Sequence, residues 1–133
     1  MSEENLAALK RLYERLAAGD LQAGAELFDR HFVFISDPGD PEGQVHYGLD
    51  AFTAYMRRFR EIWGDMRFEA KDYREAENTF LVRVRRSATG RQGGVPLDEE
   101  VFNLWTFQGE KAIRLEVLRQ EDEALEAAGL RGW

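Results

Sequence analysis

The chain of 133 residues has no cysteine, only two histidines, no excess of basic residues and no apolar stretch near the roughly 20 residues of a membrane span. The missing cysteines exclude disulfide staples and thiol catalysis. The formal charge of -7 and the pI near 4.9 argue against a nucleic-acid partner, because phosphate binding relies on clustered lysine and arginine. One local exception, Arg57, Arg58 and Arg60, falls opposite the apolar face of a helical stripe and reads as a solvated basic face. The opening Met1-Ser2-Glu3-Glu4 lacks the basic-then-apolar pattern of a secretory signal, so a cytoplasmic protein without membrane contact is expected. His31 and His46 have no metal-ligand spacing, and the acids of the 37–43 segment lack the periodicity of a calcium loop. Neither a metal nor any other cofactor is implied.

What is present is ample apolar material. Hydrophobic residues make up 44%, with nine Phe, four Tyr and three Trp, enough for one packed domain over residues 1–133 and for an aromatic-lined cavity. Leu6, Leu9, Tyr13, Leu16 and Ala17 recur at helical spacing, which predicts a helix over about 4–18, stopped by Gly19. Leu21, Ala25, Leu27 and Phe28 predict a short second helix, and Phe32-Val33-Phe34-Ile35 a buried strand beginning near His31. The segment Asp37-Pro-Gly-Asp-Pro-Glu-Gly reads as a turn-rich crossing. Leu49, Phe52, Met56, Phe59, Ile62 and Trp63 predict a helix over 49–63.

From Met66 onward the period shifts to two. Strands are expected over 68–76, 79–89, 95–108 and 112–119, joined as an antiparallel meander, with a closing helix over 121–128 capped by Gly129. Helices on one face of an antiparallel sheet make an α+β domain. In 101–108 one face carries Val101, Asn103, Trp105 and Phe107, and the other Phe102, Leu104, Thr106 and Gln108. Both faces are apolar. Either a segment of the same chain covers Phe102 and Leu104, or a second copy does, and a sheet-to-sheet homodimer is the preferred expectation.

The order of elements resembles the NTF2-like superfamily, in particular its SnoaL-like and ketosteroid isomerase-like branch. The resemblance is carried by Leu12-Tyr13-Glu14-Arg15-Leu16-Ala17-Ala18-Gly19-Asp20-Leu21, by Leu27-Phe28 with Phe32-Val33-Phe34, and by Asp37-Pro38. Tyr47-Gly48-Leu49-Asp50-Ala51-Phe52, Asn103-Leu104-Trp105-Thr106-Phe107 and the segment 123–130 extend it over nearly the whole chain. It implies a cone, with a curved antiparallel sheet wrapped around N-terminal helices, an apolar pocket between them, and pairing through the convex face. The branch includes isomerases, cyclases, dehydratases, epoxide hydrolases and non-catalytic members, so fold does not settle function.

Within that resemblance Asp37 sits where isomerase-like relatives hold a general base, and it equally starts an Asp-Pro turn. Asn103 occupies a position that relatives fill with Asp or His. An amide there can donate to a substrate oxygen but cannot act as acid or base, and a structural hydrogen bond is an equal reading. Tyr13 is either core or a phenol donor partnering Asn103. Arg119 shares the parity of Ile113, Leu115 and Val117; it either orients a ligand or pairs with Asp37 at a pocket edge, or it caps the strand and bonds Glu121 or Asp122. His46 is either an exposed loop residue or a proton carrier at the pocket mouth. Phe59, Trp63, Phe68, Phe80, Trp105 and Phe107 are candidate aromatic walls, and Val117 joins them as a ligand contact. The expected function is an apolar, oxygenated small-molecule site, with proton transfer of isomerase, cyclase or hydratase type, or ligand binding or dimerisation without catalysis.

Overall fold

The computed structural model describes residues 2–20, 24–39, 44–89 and 96–133. Helix α1, Ser2–Ala17, buries Leu9, Leu12 and Tyr13 on one stripe. It stops at a paired turn in which Gly19 N–H reaches Leu16 O at 3.0 Å and Asp20 N–H reaches Arg15 O at 3.0 Å. That closure needs a left-handed residue, and Gly19 supplies it with φ of 91°. The second helix expected from Leu21 to Phe28 is reduced, among the described residues, to the 3-10 turn Ala25–Leu27; Leu21 lies outside them. Phe28 already belongs to strand β1, Phe28–Ile35, which therefore begins three residues before His31.

A three-residue strand β2, Val45–Tyr47, follows where only a crossing was expected. Helix α2, Leu49–Trp63, has the expected bounds. Strands β3 (Met66–Ala76), β4 (Thr79–Ala88), β5 (Leu97–Gln108) and β6 (Lys111–Leu118) form the antiparallel meander, and α3, Glu121–Ala128, closes the chain. The sheet order is β2-β1-β6-β5-β4-β3. One pairing departs from an all-antiparallel sheet: β1 runs parallel to β6, with Phe34 opposite Leu115. The sheet is thus mixed and unclosed, and periodicity could not reveal that direction because strand polarity is set by the connection through β2 and α2.

The concave face of β4, β5 and β6, carrying Val82, Val84, Val101, Trp105, Leu115 and Val117, packs with α1 and α2 into the main core. The β5–β6 register shifts after Thr106, which pairs with Arg114 while Phe107 pairs with Ala112. Ile113 is the skipped residue, so Ala112 is fully buried and Ile113 leaves the inward parity expected for it.

A second cluster lies on the convex face. Leu81, Phe102 and Leu104 are covered by Ala124, Leu125 and Ala128 of α3 and by Leu130 and Trp133. Gly129, with φ of 74°, closes α3 as Gly19 closes α1: Leu130 N–H bonds Leu125 O at 2.8 Å, which turns Leu130 back onto the sheet. Arg83 lies over Trp133 at 4.6 Å, and Trp133 donates to Asp72. The apolar argument for a second copy on this face therefore does not hold, because the chain covers Phe102 and Leu104 itself. Nearby, the same face is charged: Arg85 forks onto Asp98 at 2.9 and 2.8 Å, and Arg83 bonds Glu100 at 3.2 Å.

Candidate functional site

Between the concave face and the two long helices lies a cavity of about 130 Å³. Its apolar wall includes Phe34 of β1, Phe52, Met56 and Phe59 of α2, and Leu115 and Val117 of β6. Apart from Thr53 on α2, its polar groups fall in two clusters, each built on an inward residue of β5. Glu99, Val101, Asn103 and Trp105 alternate along that strand, so the clusters at Glu99 and Asn103 stand about 13 Å apart along the backbone.

The first cluster is Tyr13, Asn103 and Trp105. Asn103 Nδ2 donates to Tyr13 Oη at 2.9 Å, and Trp105 Nε1 donates to the same oxygen at 2.8 Å. Helix α1 brings the phenol across from the opposite wall, where its ring meets Trp105 edge-on at 6.2 Å and Tyr73 at 6.1 Å. Burial pushes the Tyr13 phenol well above its ordinary pKa of 10, against the two hydrogen bonds that favour the phenolate. It is a neutral phenol at physiological pH. The donor pair expected from Tyr13 and Asn103 toward a substrate is thus partly consumed inside the protein: the amide and the indole donate to the phenol. Asn103 Oδ1 is buried and has no hydrogen-bond partner.

The second cluster is ionic. Asp37 lies just past β1, and its Oδ2 accepts from Arg119 Nη1 at 2.6 Å and from Arg86 Nη2 at 3.4 Å. Its Oδ1 accepts the Gly39 N–H at 2.9 Å. Glu99 completes a ring, taking Arg86 Nε at 2.6 Å and Arg119 Nη2 at 3.0 Å. Two acids face two guanidinium groups, so the ring is formally neutral. Its inner members are well buried, with the Asp37 and Arg86 side chains 9% and 11% exposed, while Arg119 at 49% leads out to solvent. The hydrogen bonds and charge of Asp37, joined by Glu99, raise the Arg119 pKa further, so that arginine stays charged.

Of the two sequence readings of Asp37, the local turn is seen at Oδ1, while Oδ2 makes the ion pair. Arg119 takes the pairing expected at a pocket edge, and Glu121, its alternative partner, is bonded instead by Arg83. Tyr13, Asp37, Asn103, Trp105, Phe59 and Val117 all line the cavity. Three expected contacts do not. Arg119 reaches it only through Asp37, Trp63 ends α2 away from it, and His46 sits in β2 with its ring 4.9 Å from Tyr55 and 5.8 Å from Phe34. Phe68 lines it as well, whereas Phe80 and Phe107 pack edge-on against each other at 5.6 Å in the core. Arg86 and Glu99 were missed. The alternation that places Val82 and Val84 inward on β4, and Val101 and Asn103 on β5, extends to Arg86 and Glu99, which pair across the strands.

A curved mixed sheet folded over two helices, with a cavity between them, defines an NTF2-like α+β domain. A family model described as a SnoaL-like domain matches residues 9–115, and the chain belongs to that family. Among solved structures, an NTF2-like protein of unknown function from Burkholderia pseudomallei is similar at 18% identity, covering 94% of this chain and 97% of that one, with a TM-score of 0.78. TerC, co-crystallised with polyporic acid, is similar at 16% identity, with 94% and 97% covered and a TM-score of 0.76. A protein of ketosteroid isomerase-like fold from Catenulispora acidiphila, in complex with trimethylamine, is similar at 11% identity, with 93% of each chain covered and a TM-score of 0.71. The comparison with curated proteins gave no match. At such identities the structural likeness speaks for the fold. Among the described residues, no helix is long and apolar enough to cross a membrane.

Proposed function

We propose that the chain binds an apolar, oxygen-bearing small molecule in the cavity between the sheet and the helices. The observation that carries this reading is the pairing of an apolar wall with buried polar groups whose hydrogen-bonding capacity the protein does not exhaust. A cavity of about 130 Å³ is close to the roughly 150 Å³ that admits benzene in an engineered protein core, so the enclosed part of the ligand is about one ring. That TerC was crystallised with polyporic acid, and the Catenulispora protein with trimethylamine, agrees with small-molecule binding in this fold.

Binding is favoured over catalysis by the state of Asp37. A general base needs a lone pair aimed at the substrate proton, and here Gly39 and the two arginines take most of the acceptor sites of the carboxylate. Proton transfer is the second reading, supported by the position of Asp37 on the same cavity as Asn103. It uses the acceptor site that Gly39 leaves on Asp37 Oδ1, or Oδ2 once Arg119 swings away, which the solvent exposure of that arginine allows.

A thermal-shift and calorimetric screen of apolar carbonyl compounds, alcohols and epoxides tests the proposal. The expected result is a stabilising ligand whose effect disappears in Val117→Phe, which fills the cavity from β6. A folded protein that no compound stabilises would sink it. For a ligand that is consumed, unchanged turnover by Asp37→Asn would rule out Asp37 as the base.

A further inference from the structure

The Tyr13, Asn103 and Trp105 cluster leaves two hydrogen-bonding groups over, and they are complementary. Tyr13 Oη receives two donors, so both of its lone pairs are used and its own proton must be donated elsewhere. Among the described residues no protein acceptor receives it. Asn103 is 7% exposed, lines the cavity, and carries a buried Oδ1 without a partner. A buried acceptor left unmade costs about 1–3 kcal/mol, a penalty that a ligand with the right group removes.

We infer that the cavity selects a hydroxyl group, which donates to Asn103 Oδ1 while accepting the proton of Tyr13. The inference rests on the small-molecule reading above and deepens it by naming the head group. A ketone or aldehyde can accept from Tyr13 but leaves Asn103 Oδ1 unmet. A hydrocarbon satisfies neither. The preferred ligand is therefore an alcohol or enol on an apolar ring, its hydroxyl at the Asn103 cluster and its ring against Phe52, Met56 and Phe59. The ring of charges at Asp37 is neutral and internally bonded, so no charged group on the ligand is called for.

Three probes with one carbon skeleton separate the possibilities: 1-phenylethanol, acetophenone and ethylbenzene. Their dissociation constants for the full chain are measured by NMR titration, following the Trp105 indole and Asn103 side-chain amide signals. The alcohol is expected to bind at least about tenfold more tightly than either of the others, because a site built to bond a hydroxyl discriminates against analogues that lack one. In Asn103→Leu that advantage is lost while ethylbenzene binding persists, and the folded state of the variant is read from the same spectra. Equal binding of all three would overturn the hydroxyl inference and leave the pocket reading intact. Preference for acetophenone would overturn it too, showing that the amide turns its NH2 to the cavity. Failure of all three to perturb either signal would overturn both.

Discussion

Arg119 Nη1 stands 2.6 Å from Asp37 Oδ2, joining the end of the last strand to the end of the first across 82 residues of sequence. The same carboxylate also meets Arg86, and Glu99 bonds both guanidinium groups, so removing one member strands charges that are nine-tenths buried.

Asp37→Asn is therefore expected to destabilise the protein by about 1–3 kcal/mol, because an amide sets its NH2 against the Arg86 and Arg119 donors. Arg119→Ala should cost a similar amount, about 1–3 kcal/mol, because it takes the 2.6 Å partner from a carboxylate that is only 9% exposed. Urea denaturation of both variants and of the double variant checks the coupling. Additive effects would show that the ring does not act as a unit.

The second prediction concerns alkaline pH. The Tyr13 pKa is raised in the folded state, so the stability linked to its neutral form is fully present below the unfolded value of 10 and is lost as pH rises above it. The unfolded chain releases that proton first. Stability should fall by up to about 1.4 kcal/mol per pH unit from Tyr13 alone over the first unit above pH 10. Burial also pushes Tyr73 up, to about 12, and adds to the same trend. Tyr13→Phe should flatten the slope of stability against pH between 10 and 11 while lowering its overall level, because Asn103 and Trp105 lose their acceptor. An unchanged slope would contradict the burial argument.

How far these features were legible in the sequence depends on the range of the interaction behind each. The stripes of α1 and α2 follow a period of 3.6 and were readable to within two residues. Strand β2 was not, because three residues after a turn-rich crossing carry no period. They pair with β1 through partners such as Phe34 with His46. The polarity of β1 was hidden for the same reason. Asp37, Asn103 and Tyr13 were legible as residues that line one cavity, yet their bonds were not: the amide donates to the phenol, and the carboxylate to which proton transfer was assigned is held by two arginines. Arg86 and Glu99 lay in plain alternation, but charged residues near strand ends read as solvent-facing until the opposite strand is known.

A third prediction tests the helix stop at Gly19. Its φ of 91° is unfavourable for any residue with a Cβ, and an added Cβ would stand 1.6 Å from Arg67 Nη1. The arginine tip is flexible and can move, so the backbone conformation sets the cost. Gly19→Ala should destabilise by about 1–2 kcal/mol, and Arg67→Ala should leave that penalty unchanged. Rescue by Arg67→Ala in thermal denaturation would instead assign the cost to the clash.

The last prediction separates cover from association on the convex face. Ala124 is fully buried against Leu81, Phe102 and Leu104, so a charge there cannot be accommodated without lifting α3. Ala124→Asp should expose those three side chains, increase binding of an apolar dye, and promote self-association in light scattering. Deletion of residues 130–133 should act in the same direction and more weakly, since it removes Leu130 and Trp133 but leaves Ala124 and Leu125 in place. The intact chain presents the Arg85 and Asp98 pair beside this patch, so any contact it makes through the convex face should weaken with added salt. Association of the variant, driven by apolar surface, should not. Light scattering of both forms across a salt series distinguishes the two, and salt-insensitive pairing of the intact chain would mean that α3 does not cover the face in solution.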